Sequence, residues 1–134
     1  MIICPLSDLV SRIKTGNAAG RMTVNVIRSK KNIQVLKILV KEGFISSFKY
    51  VDDRHHGLTG GTINVKLRRL IDEPCIKNIK MGSTPGLIEH ANIKCLKEYK
   101  FGIGITILST SRGFMTLEQA RKLNIGGIVI LRCY

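Results

Sequence analysis

Leu6, Leu9, Val10 and Ile13 recur at the i, i+3, i+4, i+7 spacing of a helix with one apolar face. Pro5 suits its first position, and Asp8 lies in the first turn, where the helix dipole favours an anion. Arg12 and Lys14 stand off the apolar stripe, and Gly16 to Gly20 is expected to end the helix. The period then drops to two. Thr23 to Ile27 reads as a strand with Val24 and Val26 on one face. Ser29 can cap a second helix, with Ile33, Leu36, Leu39 and Val40 inward and Gly43 as its stop. Phe44 to Val51 reads as a strand and Asp52 to Gly61 as a polar loop. Thr62 to Leu70 alternates Ile63, Val65 and Leu67 with Asn64, Lys66 and Arg68, a strand with one wet, basic face. The order so far is α-β-α-β-β.

Glu73-Pro74 marks a joint, which predicts two lobes, residues 1–72 and 73–134. Ile76 to Met81 is strand-like, Gly82 to Gly86 a turn, Leu87 to His90 a short strand, and Ile93 to Glu98 a short helix or turn. Phe101, Ile103, Ile105 and Ile107 then alternate with Gly102, Gly104, Thr106 and Leu108. Thr116-Leu117-Glu118-Gln119 has the form of a capping box, opening a helix through about Leu123. Gly126-Gly127 turns the chain into a last strand, Ile128 to Tyr134. The predicted class is α+β: an N-terminal α-β-α-β-β lobe packed on a β-rich C-terminal lobe with one short helix. No internal repeat interrupts this order.

Charge changes the picture from fold to partner. The 134 residues carry 22 Lys and Arg against 9 Asp and Glu, a formal net charge of +13. The apolar content of 44% is enough for a core, so this is not a disordered basic tail. Basic residues run from Arg12 to Arg132, and such a field attracts polyanions, with nucleic acid as the leading partner. No apolar run reaches the ~18 residues needed to span a bilayer, and Met1 to Pro5 lacks the charged start of a secretory signal; no membrane partner is expected. Cys4, Cys75, Cys95 and Cys133 are scattered, without metal-ligand spacing. They fit small buried hydrophobes in a reducing interior.

The stretch from Leu108 to Thr116 gathers Ser109, Thr110, Ser111, Arg112 and Gly113 into one turn between a strand and a helix. Placed beside free helix N-terminal amides, those hydroxyls would suit a phosphate oxygen. The plain alternative is that Ser and Thr here only build a turn. Asp52-Asp53-Arg54-His55-His56 raises a metal-dependent nuclease as a rival function. Adjacent histidines diverge, however, and a glycine-rich loop holds geometry poorly. Nothing has Walker spacing, and no cofactor, metal or small-molecule substrate is indicated. Aromatics make up only 5%, which argues for docking on folded RNA rather than stacking of single-stranded bases.

Ile107-Leu108-Ser109-Thr110-Ser111-Arg112-Gly113-Phe114-Met115-Thr116, followed by Glu118 to Gly127, resembles the C-terminal signature of the small-subunit ribosomal protein eight family, bacterial and organellar type. Pro5 to Lys14 is similar to that family's opening helix, Lys41 to Ile45 to the end of its second helix, and Ser83-Thr84-Pro85-Gly86 to its Ser-Lys-Pro-Gly turn. The resemblance spans essentially the whole chain. It implies a two-lobed, non-catalytic constituent of the small ribosomal subunit that binds the central domain of small-subunit ribosomal RNA early in assembly, beside neighbouring small-subunit ribosomal proteins. Ser109, Thr110, Ser111 and Gly113 would contact a minor groove of that RNA, with Arg112, Thr84, Pro85 and Arg12 as further candidates. The N-terminal lobe would touch a second RNA surface. A free-standing RNA chaperone is a second rival to the ribosomal reading.

The chain departs from the family pattern at Ile128, Thr84 and Cys4, where an acidic residue, a lysine and an aspartate are usual, and Leu87 to His90 is less basic than typical. With four cysteines, this drift fits an organellar ribosome, mitochondrial in the first instance, over a plastid or bacterial one. Met1 fits synthesis inside the organelle or a targeting helix that is not cleaved.

Overall fold

A computed structural model describes residues 5–51, 61–71, 73–82, 90–91 and 104–134. These residues form an α+β protein of three helices and ten strands. The chain separates into two compact units, Met1–Lys77 and Asn78–Tyr134.

In the first unit, α1 (Pro5–Ala18) buries Leu6, Leu9, Val10 and Ile13, as the spacing requires. The helix ends at Ala18, within the stretch expected to stop it, so Gly16 lies inside its last turn. That residue is buried in the helix, and an added Cβ would lie 2.9 Å from Val24 Cγ2, so the glycine lets α1 approach β1 (Thr23–Ile27) closely. The Ser29 hydroxyl accepts from Asn32 N and opens α2 (Lys30–Lys41). At its other end Gly43 adopts φ +83. Gly43 N donates to Val40 O at 3.1 Å and Phe44 N to Leu39 O at 2.9 Å, a Schellman close. Leu36 and Leu39 point inward as expected, but Asn32 and Val35 are buried with them, whereas Ile33 and Val40 sit at the margin. The buried stripe is therefore turned part of the way round the helix. The buried Asn32 is anchored by its Nδ2, which donates to Ile27 O at 2.9 Å, while its Oδ1 has no partner among the described residues.

β2 (Ile45–Val51) and β3 (Thr62–Leu67) complete an antiparallel sheet in the order β1-β3-β2. Val24, Val26, Ile45, Ile63, Val65 and Leu67 form its buried side. The long strand expected through Leu70 breaks at Arg68. The chain instead forms a small hairpin, β4 (Arg69–Leu70) with β5 (Glu73–Pro74). That pairing, with Cys75 N donating to Arg68 O at 3.0 Å, ties Glu73-Pro74 back to the first unit. The division accordingly falls after Lys77 rather than after residue 72.

In the second unit, β6 (Ile79–Met81), β7 (His90–Ala91), β8 (Ile105–Thr110), β9 (Gly113–Thr116) and β10 (Gly127–Cys133) make one five-stranded sheet. Its path is β6-β10-β8-β9, with β7 also paired to β10. α3 (Leu117–Leu123) closes one face, where Leu108, Met115, Leu117, Ala120 and Val129 form a buried cluster. Cys133 is buried and Cys75 half-buried, both as thiols. The helix or turn expected over residues 93–98, the turn beyond Gly82, residues 52–60 of the polar loop and the first part of the Phe101 strand lie outside the described residues. Among the described residues, no helix is long and apolar enough to cross a membrane.

Candidate nucleic-acid interface

The Ser-Thr-Ser stretch is not an open loop between a strand and a helix. It is the tip of a β-hairpin, with β8 running to Thr110, β9 starting at Gly113, and Thr110 paired with Gly113. Only Ser111 and Arg112 are left to turn the chain, and both are exposed. Neither has a positive φ, so the turn is not of the primed type; Gly113, at φ +100, supplies the twist instead. Strand pairing takes over here because the strand alternation continues to the turn, and Ile107, Leu108 and Ser109 find Thr116, Met115 and Phe114 across from them.

This corrects the expected link to the helix N-terminus. Thr116, the α3 N-cap, pairs with Ile107, three positions from the tip. At ~3.3 Å per residue that is about 10 Å from Thr110. The cap is also self-contained: Thr116 Oγ1 accepts from Gln119 N at 3.4 Å, and Gln119 Oε1 accepts from Thr116 N at 3.2 Å. The hairpin hydroxyls are therefore not placed beside free helix amides.

The three hydroxyls are not equivalent. Thr110 Oγ1 donates to Gly113 O at 2.8 Å and accepts from Arg112 N at 3.2 Å. It braces the turn, as the turn-building alternative holds. Ser111 is exposed at the tip, and Ser109 is half-buried one step down the strand. An added Cβ on Gly113 meets nothing within 4 Å, so the backbone there faces open space and another chain can come against it.

Two positions outside the sequence-derived set shape this end of the sheet. The register aligns His90, Ile128, Ser109 and Phe114 across β7, β10, β8 and β9. Ser109 is thus flanked by two apolar side chains. Ile128, standing where the resemblance leads one to expect an acid, puts no negative charge beside it. His90 is exposed at the far end of that row rather than buried in a core. Gly127 lies against the hairpin, and an added Cβ would fall 2.5 Å from Ser109 O and 2.9 Å from Thr110 Cγ2. The Gly126-Gly127 pair is the one sequence signal that could have flagged this close approach.

Arg12 belongs to the first unit. Its Nε donates to Asp8 Oδ2 at 2.8 Å and its Nη1 to Asn25 O at 3.0 Å. It lines a polar cavity of about 330 Å³ with Ser11, Thr15, Arg21, Thr23 and Asn25. The Asp8 carboxylate offsets part of its charge, so the hairpin is the better-built surface. Thr84, Pro85, His55 and His56 lie outside the described residues. Among those described, no group of three or more His, Cys, Asp and Glu is placed to hold a metal ion.

The chain is a two-unit α+β protein of strong positive charge, with a hydroxyl-tipped hairpin in its second unit. A family profile described as ribosomal protein S8 matches residues 4–134. The chain is similar to small ribosomal subunit protein uS8 of Kosmotoga olearia, 36% identical, covering 97% of this chain and 96% of that one. It is 40% identical to uS8 of Orientia tsutsugamushi strain Boryong, covering 96% of each. It is 34% identical to uS8c of Chlorella vulgaris, covering 97% of each. The chain belongs to the ribosomal protein S8 family.

Proposed function

We propose that this protein is a structural, non-catalytic constituent of the small ribosomal subunit, binding the central domain of small-subunit ribosomal RNA through the β8–β9 hairpin. Family membership over the whole chain supports the subunit role. The observation that carries the RNA site is the division of labour at the hairpin tip. Thr110 holds the turn, which leaves Ser109 and Ser111 beside a glycine whose open side faces outward. A hydroxyl both donates and accepts, so it can pair with ribose 2′-hydroxyls and minor-groove base edges. Arg112 adds charge at the same tip. Thr84, Pro85 and Arg12 remain secondary RNA contacts in this reading, and neighbouring small-subunit proteins are its other partners. The departures at Ile128, Thr84 and Cys4 support an organellar ribosome, mitochondrial in particular; the relatives named above come from two bacteria and from Chlorella vulgaris.

The test is affinity for a cognate ribosomal RNA junction against random RNA, measured with melting temperature on the same variants. Ser109→Ala and Ser111→Ala should each weaken cognate binding by about 0.5–1.5 kcal/mol while the fold stays intact. Unchanged discrimination with a lowered melting temperature would sink the assignment. Sedimentation of the native protein with small subunits from isolated mitochondria tests the compartment.

A further inference from the structure

Few aromatic residues are present, yet β2 brings two of them together with an arginine. Tyr50 and Phe48 lie on the same side of β2, with ring centroids 6.0 Å apart and planes at 88°. The Arg28 guanidinium carbon lies 4.9 Å from the Tyr50 ring centroid. Register places Phe48 opposite Val65 and Tyr50 opposite Ile63, on the side of the sheet that carries the core. Even so, Tyr50 remains 53% exposed, and Arg28 is exposed as well. Among the described residues β2 is an edge strand, with no further strand against this border. A cation–π pair so open to water adds little to stability. What the pair provides is a flat surface with a fixed positive charge: Phe48 restricts the tyrosine ring, and the ring holds the guanidinium. The surroundings are basic. Lys30 and Lys31 follow shortly after Arg28, and neither Arg28–Lys41 nor Phe44–Val51 contains an acidic residue; Lys49, next to Tyr50, faces the other side of β2. Asp52 and Asp53, next along the chain, lie outside the described residues.

We infer that Arg28 and Tyr50 form a dock for one unpaired nucleotide, whose base stacks on the pair and whose phosphate is held by the guanidinium. The choice of RNA as ligand rests on the function proposed above; the site itself is separate from the hairpin. Aromatic rings and guanidinium planes are the surfaces on which splayed-out bases stack, with little preference for sequence. An acidic protein segment would satisfy the charge but would leave the flat surface unused.

The full chain is titrated with an octa-adenylate carrying one 2-aminopurine, a base whose fluorescence is quenched by stacking. Binding should quench the probe. Tyr50→Leu should weaken it by roughly 5- to 150-fold, the range for losing one base–aromatic stack, and remove the quench. Tyr50→Phe should preserve both. Arg28→Lys keeps the charge and loses the plane, so it should also lose the quench. The hairpin assignment is read separately, as the affinity of the Ser109→Ala and Ser111→Ala variants for the cognate junction, so that its failure and failure of the dock are read on different variants. Two results overturn the dock: unaltered affinity and quench in Tyr50→Leu, or displacement of the probe by an octaglutamate peptide as readily as by unlabelled octa-adenylate.

Discussion

At the scale of single residues, the hairpin separates positions that build from positions that present. Thr110 makes two hydrogen bonds within the turn, so Thr110→Ala should destabilise the free protein by about 0.5–1.5 kcal/mol. Ser111→Ala should not, because the side chain is exposed and carries no part of the core. The glycines divide in the same way. Gly127→Ala would drive a Cβ to 2.5 Å from a backbone oxygen of β8, which can be relieved only by moving a strand. Overpacking of that kind costs about 1–3 kcal/mol. Gly113→Ala meets no atom but forces an L-residue to φ +100 and sets a methyl on the open side of the tip. Its expected signature is a loss of stability of about 1–3 kcal/mol together with a loss of RNA affinity. Urea unfolding and RNA titration on the four variants check the pattern. If Gly113→Ala retained full affinity, close backbone approach would be ruled out.

At the scale of elements, the capping box stands apart from the site it was expected to serve. Thr116→Ala should cost about 1 kcal/mol by freeing the first turn of α3. RNA affinity at a temperature where the variant stays folded should be unchanged, because the cap lies about 10 Å from the tip. Equal loss of stability and affinity would restore the helix N-terminus as part of the site. The same element shows how far the sequence reaches. Thr116 and Gln119 declare the cap because its chemistry is local, complete within four residues, and the Ser29 cap and Gly43 stop of α2 are legible for the same reason. The hairpin is not legible. Ser109 to Gly113 reads equally as a loop or a turn, and what decides is pairing of Ile107 with Thr116 and Leu108 with Met115 across the sheet. The break at Arg68 is of the same kind, since Ile63 to Leu67 alternate up to it and only the pairing of Arg69 with Pro74 draws the chain away. Burial of Asn32 in place of Ile33 depends on the backbone oxygen of Ile27, which no periodicity reveals. Arg28 beside Tyr50 is a contact between residues 22 positions apart, and a count of aromatics cannot find it.

At the scale of the whole molecule, the net charge of +13 is spread over both units rather than concentrated at the hairpin. General affinity and specificity should therefore respond differently to salt. If about 6–10 phosphates are neutralised, affinity should fall roughly 10³- to 10⁵-fold between 50 and 200 mM salt, a duplex-DNA scale that serves as a guide for folded RNA. The slope of log affinity against log salt counts displaced counterions, so it reports on charged contacts and is blind to hydroxyls. Arg112→Gln removes a cation at the tip and should flatten that slope by about 0.7–0.9 if the side chain meets a phosphate. Ser109→Ala should shift the whole line downward and leave its slope unchanged, because a neutral hydrogen bond releases no counterion. Arg12→Gln should flatten the slope by less than Arg112→Gln, since Asp8 already lies 2.8 Å from its guanidinium. Titrations at four salt concentrations with parent and variants separate these cases. A parallel downward shift for Arg112→Gln would mean that it reads a neutral edge of the RNA. A flat response in the parent would mean that the charge of this chain plays no part in holding its RNA.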